Sequence, residues 1–466
     1  MSNLGVQARW MTPVFLALAQ LMIALDATIM NVALPSLQSA LGFADDERQW
    51  VIASYTVAVG SLLLLGGRLS DRIGHRLALT IGLFGFAAVS ALGGMSGSLV
   101  ALCLARAAQG AFAALLAPTA LALVAAHAQA TGERAKTFAL FGAIAGSGGV
   151  VGLVLGGYLT SRFGWRVCMW INVPIALIAV LGTRRIELRG AARSAGLDLP
   201  GALLAACSIG TLVFACSRAS AGGDLSSAFM LLTAALLLMA AFVWHERRAH
   251  DPLLPARIWR DRQRAGAYVS AGLAVAGMLG LFLSLTYYFQ VVRHYTPLQA
   301  GLAFLPLSAA VFVSAQIVAR LLPRFGERNL IVAGLAIASG AMLQLGQLTM
   351  STSYAAQLLP AELLLGVGMG AVFTPAISAA TARVARADAG VAAALVQSSQ
   401  QIGGAIGVTV LNAVAAAAAI DHSPAALVAG YGSATRVAAI MLAIAAVLTA
   451  WLMSQTRGQA VSGAHQ

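Results

Sequence analysis

The sequence predicts an all-α integral membrane protein made by internal duplication, and three observations carry that fold class. Of its 466 residues 59% are hydrophobic and only 10% charged, with a mean hydropathy of +0.84. An ordinary soluble domain is about 25% charged, because charge covers its surface. The apolar residues fall into runs of about 20, the length of helix that crosses a bilayer core. Two short basic segments, Gly67-Arg68-Leu69-Ser70-Asp71-Arg72-Ile73-Gly74-His75-Arg76 and Arg320-Leu321-Leu322-Pro323-Arg324-Phe325-Gly326-Glu327-Arg328, each join two such runs. The Arg-Ile-Gly-x-Arg core of the first returns as Arg-Phe-Gly-x-Arg in the second. Matching segments in two hydrophobic blocks mark a duplicated membrane bundle.

Fourteen runs read as spans along the chain. The first, 12–34, is too long for the apolar region of a signal peptide, lacks an A-x-A site and contains Asp26. Runs 49–67 and 77–95 flank the first basic segment, 100–123 holds Arg106, and 137–160 holds a ladder of glycines. Run 166–183 follows, then 199–217, which has Gly and polar residues close by, and 226–244. The stretch 245–265 is the longest loop and carries Arg247, Arg248, Arg257, Arg260, Arg262 and Arg264. Runs 266–290 and 300–321 precede the second basic segment; 329–349, 356–379 with Glu362, 393–417 and 436–454 complete the set.

With the N-terminus inside, 22 of the 29 Lys and Arg residues fall in cytoplasmic segments, six at the outer face and one, Arg106, within a span. That asymmetry places both termini in the cytoplasm. It also explains the net charge of +13. No basic run is interleaved with aromatics, which argues against nucleic acid as a partner. Cys103, Cys168, Cys207 and Cys216 form no spaced framework, so neither disulfides nor a metal site is expected.

The two basic segments become equivalent if spans 1–6 form one half, spans 9–14 the other, and spans 7–8 are an inserted pair. The expected division is a six-helix half over 1–185, the inserted pair and linker over 186–264, a second six-helix half over 265–455, and a disordered cytoplasmic tail over 456–466. Each half holds two three-helix units, starting at spans 1, 4, 9 and 12.

At this point the chain resembles the major facilitator superfamily, and within it the fourteen-span drug:proton antiporters. Leu25-Asp26-Ala27-Thr28-Ile29-Met30-Asn31-Val32-Ala33-Leu34-Pro35 looks like that group's first-span motif, and GRLSDRIGHR (Gly67–Arg76) is similar to the superfamily's loop motif. Arg106-Ala107-Ala108-Gln109-Gly110 looks like the fourth-span motif. The glycines of span 5, among them Gly146, Gly149, Gly152, Gly156 and Gly157, are similar to the fifth-span antiporter motif. Trp165-Arg166 with Ile171-Asn172-Val173-Pro174 matches the start of span 6 in the fourteen-span group. One departure stands out: the antiporter motif usually reads Gly-Pro where this chain has Gly152-Leu153, and without proline a straighter helix is expected.

Three ionisable residues lie within spans: Asp26, Arg106 and Glu362. A charge at mid-bilayer costs about 2.5–3.5 kcal/mol on insertion scales, so such groups face a cavity or one another. All three lie about 10 Å below the outer surface at 1.5 Å per residue. They sit on spans 1, 4 and 12, which the resemblance implies line a central cavity. Asp26 is expected to take and release the coupled proton while Arg106 sets its protonation behaviour; the alternative is a permanent pair that never titrates. Glu362 follows Pro360 near the end of its span and either faces the cavity or reaches the headgroups. Trp50, Tyr55, Tyr287 and Tyr288 are candidate substrate contacts. The span 5 glycines allow close helix packing. The resemblance makes Gly67, Arg68, Asp71, Arg72, Gly74 and Arg76 a conformational latch, in which Asp71 caps a helix N-terminus in one state; the plain alternative is a solvated loop charge.

Gly366-Val-Gly368-Met-Gly370 has a nucleotide-fingerprint spacing but lies inside an apolar span with no strand before it, and no GxxxxGK[ST] occurs. The implied function is therefore secondary active transport with no cofactor: export of small amphipathic drugs or toxic metabolites in exchange for protons, from the bacterial inner membrane, by a monomer. The alternatives are a dedicated exporter of one self-made metabolite, such as an antibiotic or siderophore, and a non-transporting membrane receptor. No intramembrane metal set or Ser/Lys pair suggests an enzyme.

Overall fold

A computed structural model of the protein describes residues 3–45, 47–131, 134–183, 198–220, 225–249, 261–381, 389–419 and 423–453. The tail over 456–466 and the loop arginines Arg257 and Arg260 lie outside them. Among the described residues the regular structure is helical: α1 Asn3–Leu41, α2 Gln49–Ile73, α3 His75–Gly94, α4 Leu99–Thr131, α5 Arg134–Phe163, α6 Trp165–Trp170, α7 Asn172–Thr183, α8 Leu199–Ser220, α9 Leu225–Arg248, α10 Arg262–Tyr287, α11 Pro297–Ala303, α12 Leu305–Leu345, α13 Leu359–Thr381, α14 Ala389–Ala418 and α15 Pro424–Leu452. Two π-turns, Tyr288–Val292 and Tyr354–Leu358, extend α10 and precede α13. Ten helical stretches among the described residues are long and apolar enough to cross a membrane. One of them, Pro297–Leu345, holds two of the expected spans, and α2, α5 and α8 supply the remaining three. Every expected span thus coincides with a helix.

The basic segments are not loops. Helix runs to Ile73 and restarts at His75, so the first connection is a single residue, Gly74, at φ +89°. The second is a kink inside α12 at Gly326, φ +73°. A positive φ is open to glycine without the Cβ clash that other residues meet, which explains why each motif has Gly at that place. The same core occurs a third time as Arg162-Phe163-Gly164-Trp165-Arg166, where Gly164 breaks α5 from α6 at φ +83°.

The chain divides into two compact units. The first comprises Met1–Phe214, Met230–Leu253 and Phe289–Leu305, the second Ala215–Phe229, Leu254–Tyr288 and Pro306–Gln466. Within the first, α1 packs on α5 and α2 on α4. Both pairs meet backbone to backbone: a Cβ on Gly152 or Gly156 would press on Leu25 or Ile29 of α1, and one on Gly110 would overlap the Tyr55 carbonyl of α2. Within the second, the same pairings recur. Gly403 and Gly407 of α14 abut Gly272 and Ala276 of α10, while Gly366 and Gly370 of α13 abut Leu307 and Val311 of α12. Spans 1·5 and 2·4 of one unit therefore correspond to spans 9·13 and 10·12 of the other. Close approach of this kind replaces the hydrophobic drive that helices lack in lipid. Apolar side chains such as Leu92, Val100, Leu104, Leu237 and Val447 stay exposed on the outer faces, as a lipid-facing surface requires.

Candidate functional site

Asp26 lies midway along α1, on a helix that α5 approaches closely because Gly148, Gly152 and Gly156 carry no side chains. Its carboxylate is wholly buried. Arg106, from α4, is equally buried and donates from Nη1 to Asp26 Oδ2 at 2.5 Å and to Gln109 Oε1 at 2.9 Å. Its Nε donates to the Val51 carbonyl at 3.2 Å, and its guanidinium lies 4.3 Å over the Tyr55 ring. Two amides hold the other carboxylate oxygen. Gln109 Nε2 donates to Asp26 Oδ1 at 3.2 Å and to Ser90 Oγ at 2.7 Å, and Asn172 Nδ2 donates to the same two atoms at 2.8 and 3.3 Å.

Asn172 stands at the start of α7, where its side chain reaches Asp26 of α1 and Ser90 of α3. Gln109 lies one turn from Arg106 on α4, close enough for the two side chains to share one anion. The result is one carboxylate, one guanidinium and three neutral polar groups, all of them buried. Such a pair is tolerable only when its remaining donors and acceptors are matched, and here the carboxylate receives three donors. The network joins α1, α3, α4 and α7 through side-chain hydrogen bonds. Ser90, Gln109 and Asn172 were not singled out as site residues from sequence. Gln109 and Asn172 stood inside quoted motifs, and an intramembrane amide is the signal that would have found them. Among the described residues, Tyr55 Oη and Asn172 Oδ1 beside this network have no hydrogen-bond partner.

The span 5 glycines divide by direction. Gly148, Gly152 and Gly156 face α1, whereas Gly157 touches Pro297 and Leu298 of α11, where Gly301 in turn meets the Leu153 carbonyl. Ser161 Oγ accepts from the Leu298 amide at 3.3 Å, and Gln290 Nε2 donates to the Val32 carbonyl at 2.8 Å. Helix α5 thus touches the Asp26 helix on one side and the 289–305 segment on another. At Gly149 an added Cβ would meet nothing within 4 Å among the described residues. The surroundings of Gly146 lie outside the described residues.

Gly67, Arg68, Asp71 and Arg72 occupy the last turns of α2, Gly74 the break, and Arg76 the first turn of α3. Asp71 is half exposed and pairs with His75 at 3.6 Å. Its carboxylate does not cap α3, whose N-terminus has no side-chain cap. Ser70 Oγ links His75 Nδ1 and Thr119 Oγ1 of α4, each at 2.8 Å. Trp50 packs on Phe214. The structure therefore brings Asp26, Arg106 and Tyr55 together in one unit. Glu362, Tyr287 and Tyr288 belong to the other. All three are buried, so Glu362 does not reach out from the protein, and Tyr288 Oη donates to the Thr349 carbonyl at 2.9 Å.

The family model of the Major Facilitator Superfamily matches residues 16–408. The chain belongs to that superfamily of membrane transporters. It is 45% identical over 466 residues to the puromycin resistance protein pur8 of Streptomyces alboniger, covering 97% of this chain and 92% of that protein. It is 36% identical to the cephamycin export protein CmcT of Amycolatopsis lactamdurans, covering 94% and 91%. It is 35% identical to the multidrug resistance protein Stp of Mycobacterium tuberculosis, covering 87% and 76%. Among solved structures, a bacterial homologue of the human lysosomal transporter Spinster superposes with a TM-score of 0.67 at 16% identity, covering 97% of this chain and 98% of that one. The xylose transporter XylE from E. coli superposes with a TM-score of 0.65 at 14% identity, covering 96% and 98%. The chain is thus a multi-pass transporter of small molecules in a lipid bilayer.

Proposed function

We propose that this protein exports small amphipathic toxic compounds, antibiotics among them, in exchange for protons. The observation that carries the reading is the buried Asp26 carboxylate, tied to Arg106 and Gln109 of α4 and to Asn172 of α7. Adding or removing one proton there alters which helices can stay together, and that is the coupling an antiporter needs. The relatives named for puromycin resistance, cephamycin export and multidrug resistance support export as the direction. Transport uses the proton gradient with no cofactor and no chemical step on the substrate. The protein works as a monomer in the bacterial inner membrane with both termini in the cytoplasm, and α8–α9 stay outside the transport core.

The test is efflux from proteoliposomes under an imposed pH gradient, with puromycin, lincomycin, a cephamycin and ethidium, with and without an uncoupler. Gradient-dependent efflux that the uncoupler abolishes is expected. Asp26→Asn should insert normally and lose it. Full gradient-driven efflux in that variant would remove Asp26 from proton coupling. Several relatives carry the name of a single antibiotic, which favours a dedicated exporter as a second reading; in that case one compound of the panel moves and the others do not.

A further inference from the structure

Glu362, one turn into α13, is wholly buried and takes no part in the Asp26 network. Its Oε2 accepts a long hydrogen bond from the Tyr354 hydroxyl at 3.4 Å, while Oε1 has no partner among the described residues. The π-turn Tyr354–Leu358 runs directly into α13 and sets that hydroxyl against the carboxyl.

Among the described residues, no counter-charge is hydrogen-bonded or ion-paired to Glu362. Helix α10 packs on α13, with Arg262, Arg264 and Tyr268 at its far start and Tyr287 at its near end. Tyr288, just beyond, is bound to the Thr349 carbonyl. Helix α14 has no titratable residue between Ala389 and Ala418. On α12, Arg320, Arg324, Glu327 and Arg328 gather at the Gly326 kink. Glu327 there accepts from Ser378 at 3.2 Å, a residue about 24 Å along α13 from Glu362 at 1.5 Å per residue. Arg436 of α15 is held by the Gly432 carbonyl and Ser433 Oγ of its own helix. An ionised carboxylate enclosed this way, with one weak donor and no cation, is a state that proteins avoid. A neutral carboxylic acid is not, and its O–H turns the unpartnered oxygen into a donor.

We infer that Glu362 and Tyr354 form a second exchange site, where the carboxyl holds a proton when empty and releases it to solvent when the cationic centre of an amphipathic substrate binds in its place. The exchange balances in charge: one proton leaves as one positive charge arrives, and the buried volume stays neutral in both states. Tyr354 serves both states, since its hydroxyl donates to the carboxylate and an aromatic ring beside the acid attracts a cation. The substrate half rests on the exporter reading above; the proton half does not.

The experiment uses the purified full-length protein in detergent, with tetraphenylphosphonium as probe because its charge is independent of pH. Infrared difference spectra between neutral and alkaline pH should show loss of a carboxylic-acid C=O band in the wild type and in Asp26→Asn, and no such band in Glu362→Gln. Glu362→Asp keeps the acid and should move the band, which covers the case in which the Gln variant does not fold. Tetraphenylphosphonium affinity in the wild type should fall by up to about tenfold per pH unit on the acid side, the slope for one competing proton. Binding in weak buffer should release a proton. Both effects should vanish in Glu362→Gln. A band unchanged in the Gln or Asp variant, or proton release that persists in Glu362→Gln, overturns the inference. A band that behaves as expected beside absent efflux in the wild type leaves the proton on Glu362 and overturns the exporter reading instead.

Discussion

Replacing Arg106 by Ala strips one buried volume of four interactions. These are the Asp26 ion pair at 2.5 Å, the bonds to Gln109 Oε1 at 2.9 Å and the Val51 carbonyl at 3.2 Å, and the stacking on Tyr55 at 4.3 Å. Asp26 is left as a buried anion with two amide donors, and a pair broken on one side costs about 3–5 kcal/mol. Asp26→Asn alone strands the guanidinium instead, at a similar order of cost. In the double variant neither charge is stranded, and the new amide stays among Ser90, Gln109 and Asn172. The double variant should therefore lose less than the sum of the singles. The expected coupling is about 2–3 kcal/mol, the upper range for groups in direct contact, or roughly thirty- to 150-fold in an equilibrium constant. Graded SDS denaturation of the purified protein, followed by tryptophan fluorescence, measures it for all four proteins. Additivity within about 0.5 kcal/mol would show that the two charges do not act as a unit and would refute the reasoning.

Other outcomes follow from single contacts. Asn172→Ala removes the 2.8 Å donor to Asp26 and should slow gradient-driven efflux by about tenfold, the worth of one hydrogen bond to a charged group; unaltered efflux would make that contact incidental. Gly152→Ala forces a methyl onto Thr28 and Leu25 and should destabilise by about 1–3 kcal/mol, whereas Gly149→Ala, with open space beside it, should stay within about 0.5 kcal/mol. Equal effects at the two sites, read from the same denaturation curves, would contradict the packing of α5 on α1. Asp71→Asn should slow turnover with little change in substrate affinity, because Asp71 pairs with His75 across the α2–α3 break, and Asp71→Ala should be worse; initial-rate efflux over a range of substrate concentrations separates the two parameters. Asp198→Ala loses the bond from the Gly201 amide at 2.9 Å and the His245 contact at 2.7 Å. It should lower stability by about 1–2 kcal/mol, the worth of an N-cap, and leave efflux intact if α8 and α9 lie outside the transport core.

Hydrophobicity and charge act through composition over short windows, and what depends on them was legible in the chain. The fourteen helical runs, the duplication and the intramembrane Asp26 and Arg106 follow from the need to satisfy backbone polar groups in lipid and from the cost of a charge there. The basic segments were read correctly as junctions but not as near-continuous helix, because a single positive-φ glycine suffices to turn the chain. The neutral members of the site were settled only in three dimensions. Ser90, Gln109 and Asn172 converge on Asp26 from 83 and 146 residues away in the chain for the two amides, and polar residues without charge do not stand out against an apolar run. Direction was also invisible: Gly149 and Gly152 look alike in sequence, yet one faces open space and the other the backbone of α1. Glu362 could have faced a cavity or the headgroups by sequence alone, and burial beside Tyr354 excluded the second. Periodicity and composition are local properties of the chain, whereas the partner of a buried polar group is chosen by helices that meet only after they pack.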